Sequence, residues 1–482
     1  MLCIVSTVVC YTGVLRKWRC RIMKKIQFAS LFMVFIFLTT VAYAENMTGE
    51  GPNLGTDRIT QAQIEGGLPL EKIIKAGVKV FTTPFNKHDG FGDGHFDHAE
   101  GDPRKIGNRP TLGNNGAFLR VNGLDAQTCL ECHFVASFST IPWTIGIGGV
   151  AGGNSNVFFM PSYIDVADLN PGQFNGRSIN PPFNFGAGGV ELLAKEMTYH
   201  LQKLKAKAIA NPGTVIILKT KGVYFGKIKA DYHGNLDTSH VEGIDPDLVV
   251  RPFGRKGNNS SLRVFDIGAM QFHFGMQPVE VVGKGMDLDG DGVVNEILVG
   301  ELSAVHIFQA TLLAPFMEEL TKKAKMGFGI FKRIGCAKCH IPFLNTKSKH
   351  LAFSFPEVET DPMANVYSKV NLIETANFKP NDKGGIIVPL FADLKRHDMG
   401  PGLAESLDLV DHKENREFTT ARLWGVRDTV PYLHDGRALT LTEAILMHGG
   451  EGQNARDKFD ALSETRKNKV ISFLYSLRTP VE

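Results

Sequence analysis

The chain has 482 residues, 43% hydrophobic, 21% charged and 9% aromatic, the composition of a soluble protein with cores to bury, and two or three domains are expected. Its 51 Gly and 23 Pro make it loop-rich but are too few for a collagen-like or low-complexity chain. The formal charge of +3 arises in the first 44 residues, which hold six basic and no acidic side chains; the remainder, with 47 basic against 50 acidic residues, has no basic stripe, which argues against nucleic acid as a partner.

From Met23 the chain reads Lys24-Lys25, the apolar run Leu31 to Leu38 and the small-residue end Val41-Ala42-Tyr43-Ala44. This is the pattern of a secretory signal peptide, with cleavage expected after Ala44 and the preceding 22 residues read as an upstream-start extension. An uncleaved anchor is the competing reading, but the run is short for a span of about 20 residues. No later stretch is apolar enough to cross a bilayer. A periplasmic or otherwise exported protein with no stable membrane insertion after cleavage is expected.

Ala76 to Phe81 has Gly77 and Phe81 one helical turn apart, and 47 residues intervene before Cys129-Leu130-Glu131-Cys132-His133. A helix from Gly189 to about Ala210 follows, set by Leu192, Leu193, Glu196, Met197 and Leu201, and is expected to close the first domain. Two β-prone runs between Val215 and Ile228 flank Lys221-Gly222 and read as a hairpin. An irregular segment is expected from there to Glu280. Asp287, Asp289 and Asp291, with Gly292 in sixth place, then form the front half of an EF-hand-type loop for Ca2+. Its twelfth position is Leu298, so the missing carboxylate has to come from Glu296 or Glu301 with a different geometry; a solvated acidic turn is the alternative. Glu318 to Arg333 reads as a helix with Gly327 and Phe331 one turn apart, leading into Cys336-Ala337-Lys338-Cys339-His340. Leu441 to Met447 and Glu464 to Leu477 are the last helices expected.

Seven cysteines occur; three (Cys3, Cys10, Cys20) precede Ala44, and the other four fill the two Cys-x-x-Cys-His units. By chance such a unit is expected about 0.003 times in a chain of this composition. Two thiols three positions apart can each add to a vinyl group of one haem, and the next imidazole then reaches the iron from the same side. A zinc ribbon needs its knuckles close together, whereas 203 residues separate Cys132 from Cys336. Disulfides would not explain the paired histidines, and neither segment has the α/β context of a thioredoxin-like pair. Two covalent haem c groups are therefore expected, with His133 and His340 as iron ligands.

The frame around the second unit resembles the class I cytochrome c fold, in which first and last helices cross at a small glycine contact. The fold expected is mainly α: two cytochrome c-like haem domains joined by an irregular segment with a small β-hairpin. The divisions are a signal peptide (1–44), an N-terminal haem c domain (45–210), a linker with hairpin and Asp-rich loop (211–317) and a C-terminal cytochrome c domain (318–482).

The C-terminal run contains Arg396-His397-Asp398-Met399-Gly400-Pro401-Gly402-Leu403, Trp424-Gly425, Tyr432-Leu433-His434-Asp435-Gly436-Arg437 and Glu443 to Gly450. It resembles the di-haem oxidoreductase family, sometimes labelled thiol oxidoreductases, which is related to bacterial di-haem cytochrome c peroxidases. Val241 to Glu280 and the helix after Phe185 also look like it. The resemblance implies a periplasmic protein in which one haem handles electrons and the other can meet substrate. In the related peroxidases a Met about fourteen residues after the His of the HDG-like motif is the second haem's distal ligand; here that count runs from His434 to His448, so a bis-histidine iron is expected, with Met399 and Met447 as rivals. Those peroxidases also hold a Gln and a Glu over the peroxide-binding haem, near a Trp-Asp-Gly-Arg-like core. Here Asp435-Gly436-Arg437 lies in the other domain, which puts peroxidase activity in doubt.

For the first haem's distal side the candidates are His88, His95, His98, Met160, Met197, His200 and His273, with Glu196 as a candidate base; His95 and His98 with Asp93 and Asp97 are also read as a solvated acidic loop. Three functions stay open: an electron-transferring oxidoreductase with one substrate-facing haem, a peroxidase, and a pure electron carrier. Each implies a periplasmic electron donor or acceptor such as a small cytochrome or cupredoxin.

Overall fold

The computed structural model describes residues 51–92, 126–131, 133, 180–404 and 415–480, and from Pro52 onward these fall in one compact unit. The segment read as a signal peptide (1–44), Cys132, Asp93, His95, Asp97, His98 and Met160 lie outside the described residues. Among the described residues 38% are helical and 15% in strands or bridges, so the chain is mainly α with small sheets, as expected. No helix among them is long and apolar enough to cross a membrane.

Helix α1 (Leu70–Thr82) turns Ile73, Gly77, Val80 and Phe81 inward, with Glu71 in its first turn and Lys79 in its last, each at the favourable end of the helix dipole. Helix α2 (Ala187–Ala210) starts two residues earlier than expected, because Gly186 takes φ +73° and Gly188 lies against Ala310; a Cβ on Gly188 would sit 2.2 Å from the Ala310 carbonyl oxygen. The hairpin forms as read: β1 (Val215–Thr220) pairs antiparallel with β2 (Val223–Ala230), and Lys221 (φ +48°) and Gly222 (φ +88°) make the left-handed turn that matches strand twist. Ile216, Leu218 and Thr220 alternate inward.

Two helices stand where irregular chain or linker was expected. Helix α3 (Leu262–Phe274) is capped by Ser261, whose hydroxyl accepts from Val264 N, and stopped by Gly275 at φ +64°. Helix α4 (Val299–Ala310) is buried from Gly300 to Ala310. Because it is enclosed on all sides it has no apolar stripe, and Glu301, Ser303, His306 and Gln309 interrupt any reading by period.

Helix α5 (Lys322–Ile334) begins at its Thr321 cap rather than at Glu318, and α7 (Glu464–Leu474) ends before Leu477. One contact explains both: Phe316–Met317 pairs as a short strand with Leu477–Arg478, so those residues are extended. Between them, α6 (Leu441–Leu446) is opened by a capping box from Thr440 and Glu443.

Two helix crossings repeat one device. Gly327 of α5 meets α7 so closely that a Cβ would lie 1.8 Å from the Lys469 carbonyl oxygen. Gly77 of α1 meets α4, where a Cβ would lie 2.2 Å from the Ala304 oxygen and 2.6 Å from Phe308 Cβ. The helix expected from Gly189 to about Ala210 is not the one that crosses Gly77; α4 is. Helix α2 instead backs the hairpin and the sheet strand His350–Ser354, with Leu193, Met197 and Leu201 in the central core.

Candidate haem centres

The C-terminal centre starts at Gly335 (φ +104°), which stops α5 and turns the chain into Cys336–Lys338, a single 3-10 turn closed by His340 N donating to the Cys336 carbonyl (3.0 Å). His340 Nδ1 lies 3.0 Å from the Phe391 carbonyl. A carbonyl can only accept, so Nδ1 carries the proton and Nε2 keeps its lone pair for a metal. Phe391 holds that carbonyl from a left-handed backbone (φ +53°), a costly conformation for a phenylalanine. Across the site, α6 ends and presents His448, whose Nδ1 is fixed in the same manner by the Ala444 carbonyl at 2.8 Å.

The two imidazole centres are 6.4 Å apart. A metal bound about 2 Å from one nitrogen of each ring separates the ring centres by about 6 Å, so one iron fits between them. Burial, together with the neighbouring His448, pushes His340 down to about 4, and burial also lowers His448; both are the neutral ligand form. Phe328, Phe331, Phe391 and Phe473 pack around the site. Met399 lies beside His448, both within 3.3 Å of a Cβ built on Gly452, whereas Met447 is 37% exposed. Gly450 is pressed on the Asp398 carbonyl, and Glu451 Oε2 meets His397 Nδ1 at 2.7 Å, so the loop after His448 is clamped to 396–400. His397 also bonds Asp393 (2.9 Å), and this pair gathers with Cys339 within 4.8 Å, beside the candidate centre.

The N-terminal centre repeats the local geometry. His133 N donates to the Cys129 carbonyl (2.9 Å), and His133 Nδ1 lies 2.8 Å from the Pro182 carbonyl. Burial is the largest cause lowering His133 to about 4; the Pro182 bond opposes it and the charge of His273 adds to it. Phe81, Phe85, Phe91, Phe185, Met270 and Phe274 belong to the apolar shell that includes Cys129. The Phe265 ring of α3 stands 6.3 Å from that of His133. Of the described distal candidates, His273 is the one whose charge reaches His133. Met197 is core, His200 is exposed on α2 beside Lys203, Lys221 and Lys347, and His88 is exposed. Glu196 is not a base at this site: its carboxylate takes Lys221 Nζ and the amides of Lys347 and Ser348, tying α2 to the hairpin.

Residues 180–186 were not singled out by sequence reading, yet they join the two centres. Pro182 holds His133, while Asn180 Nδ2 donates to the Pro431 and Leu433 carbonyls (2.7 and 3.0 Å) and Asn180 N to His434 O (2.7 Å). Asn184 is anchored by Gln309 (2.9 Å), which in turn donates to both oxygens of Asp266 (2.8 Å).

Asp287, Asp289 and Asp291 bring carboxylate oxygens within 4.8 Å of one another, with Gly292 at φ +90°. Leu298 is the N-cap of α4, and Glu301 is bound by Arg58, which leaves Glu296, turned inward and 1% exposed, as the carboxylate beside the loop. The loop leads into α4 and abuts the first centre's shell through Ile297.

Residues 279–477, less than half of the chain, match the family model described as "Di-haem oxidoreductase, putative peroxidase". The cytochrome-c peroxidase IdrP2 of Pseudomonas sp. (strain SCT) is 26% identical over 164 residues, 33% of this chain and 40% of that protein. The chain thus matches less than half of that relative's length. Two solved structures are similar with TM-scores of 0.27: hydrazine synthase of Kuenenia stuttgartiensis (18% identity, 55% of this chain and 76% of that one) and a MauG-like protein associated with microbial copper homeostasis (15%, 61% and 89%).

Proposed function

We propose that this protein is an exported di-haem c-type cytochrome working in electron transfer and oxidoreduction, one haem relaying electrons and the other facing substrate. The observation that carries the reading is the His340–His448 pair, two neutral imidazoles 6.4 Å apart with each Nδ1 tied to a backbone carbonyl. Cys336 and Cys339 would hold one haem by thioether bonds, with His340 and His448 on its iron; Cys129, Cys132 and His133 would hold the other. Bound haem supplies reversible one-electron chemistry. The chain's part is to fix both imidazoles, to exclude water with Phe328, Phe331 and Phe473, and to keep the centres in one frame through residues 180–186.

Among the described residues, the ring at the corresponding distance from His133 is that of Phe265, a side chain with no ligand atom, which supports the substrate-facing role. His273 favours the second reading, a pure carrier with both irons six-coordinate. A periplasmic small cytochrome or cupredoxin is the partner class, and calcium at Asp287, Asp289 and Asp291 completes the cofactor set. Pyridine haemochrome assay of the full chain, made with a working c-type maturation system, should give two haems; one or none overturns the reading. EPR of the oxidised protein should show a high-spin ferric signal beside a low-spin one. Two low-spin signals would select the carrier.

A further inference from the structure

We propose that Glu296 joins Asp287, Asp289 and Asp291 as the inner ligand of one bound calcium ion, and that this ion fixes the wall of the first haem centre. The proposal rests on the calcium part of the preceding reading and is independent of how either iron is ligated.

An acidic loop alone is often just a solvated turn. Here a second observation points to a cation: Glu296 is 1% exposed and its Oε1 has no hydrogen-bond partner. Leaving a carboxylate oxygen buried and unsatisfied is costly unless something positive meets it. Its other oxygen accepts from Gln277 N (2.7 Å), and Gln277 Oε1 accepts from Leu288 N, between two of the aspartates (3.0 Å). Gln277 therefore holds the Glu296 carboxylate and the aspartate loop against each other. After burial, the charges that weigh most on Glu296 are those of Asp289, Asp291 and Asp287, the three aspartates that gather within 4.8 Å of one another in the loop Gln277 ties to it. Arg58, the arginine at this corner, is spent on Glu301 and on the carbonyls of Asn295 and Glu296. The donor set is all oxygen, without imidazole or thiolate, which suits a hard ion taking 6–8 oxygens at about 2.3–2.6 Å, and waters can complete the outer side.

The coupling to the first centre follows from Gly90, where a Cβ would lie 2.2 Å from Glu296 Cγ. The main chain thus rests directly on the Glu296 side chain. The next residues, Phe91 in the apolar shell and Gly92, whose amide donates to the Phe274 carbonyl (3.1 Å), are part of that wall. On the other side Ile297, fully buried in the same shell, follows Glu296 in sequence.

Calorimetric titration of Ca2+ into the chelator-treated full-length holoprotein is the test, with thermal melting and Soret spectra alongside. Wild type should take up one Ca2+ per chain and melt higher with it. Glu296→Gln should weaken uptake at least tenfold and lose most of the calcium-dependent rise in Tm, while melting no lower than wild type when both are chelated. Asp291→Asn, at an exposed position, should weaken uptake without affecting folding. Calcium removal should alter the Soret band of a His340→Ala variant, in which the second centre is disrupted. No uptake by wild type overturns the site as a whole. Uptake by Glu296→Gln equal to wild type leaves the aspartate loop as a calcium site and overturns the role given to Glu296, and an unmoved Soret band overturns the coupling. Failure of the haem reading would be seen separately as absence of a Soret band, with calorimetry still reporting on calcium.

Discussion

At the scale of single residues, Gly327 and Gly329 sit two positions apart in one helix and are expected to respond oppositely to the same change. A methyl at Gly327 would meet the Lys469 carbonyl at 1.8 Å, so Gly327→Ala must push α5 off α7, costing about 1–3 kcal/mol or more. Gly329 has nothing within 4 Å, and Gly329→Ala should be neutral or gain about 0.5–1 kcal/mol by helix propensity. Denaturant unfolding of the two holoproteins checks the pair; equal effects would mean the crossing is looser than described. His448 makes a second residue-scale prediction. A thioether favours the ferrous state relative to imidazole, so His448→Met should raise the reduction potential of the iron bound by His340. Redox titration reads the change, and an unmoved potential with an unmoved low-spin spectrum would assign the distal ligand elsewhere, with Met399 the neighbour to try next.

At the scale of elements, α3 and α4 carry a buried polar chain that ends near the first centre. Burial is the main cause pushing Asp266 up to about 8; the Gln309 bond and the Arg263 charge oppose it, and Glu191 and Glu357 add to it. A carboxyl whose folded pKa lies above its unfolded value of 3.8 contributes stability that is full below that value and is lost as pH rises through about 8. Asp266→Asn keeps an acceptor for Gln309 but cannot ionise. The stability difference, variant minus wild type, should therefore grow across that window by at most about 1.4 kcal/mol per pH unit and level off above it. Urea unfolding at several pH values tests this; a constant difference would show that Asp266 is ionised throughout. Glu191 has the opposite sign: despite burial, His306 and Lys195 hold its carboxyl well below the usual range.

At the scale of the whole molecule, residues 180–186 tie the two centres together, Pro182 holding His133 and Asn180 the Pro431 and Leu433 carbonyls. Peroxide turnover is a property at this scale, since it needs electrons from one centre and proton transfer at the other. A positioned acid or base contributes about 10² to 10⁴ in rate. Glu196, the base that sequence reading offered, is engaged with Lys221, Lys347 and Ser348. Hydrogen peroxide reduction with a reduced cytochrome donor should accordingly be slow, and Glu196→Gln should leave it unchanged. Fast turnover abolished by Glu196→Gln would restore Glu196 as the base.

The sequence by itself determined what is local. The Cys-x-x-Cys-His spacing dictates a turn that the structure shows at both units, with His N on the first Cys carbonyl each time. Lys221-Gly222 specified the hairpin, while His448, whose ring stands 6.4 Å from that of His340, was pointed to by the family resemblance and not by the sequence alone. Only the tertiary structure decided partners that are distant in sequence. It put α4 rather than α2 across Gly77, sent Glu196 to the hairpin, gave Glu301 to Arg58, and tied buried Glu296 to the aspartate loop through Gln277. The physical reason is the same in each case. A turn or a cap is satisfied by atoms within a few residues and leaves its mark in spacing, whereas a helix buried on every side has no stripe to reveal its period. A carboxylate likewise carries nothing in its neighbouring residues to say which cation the fold will bring to it.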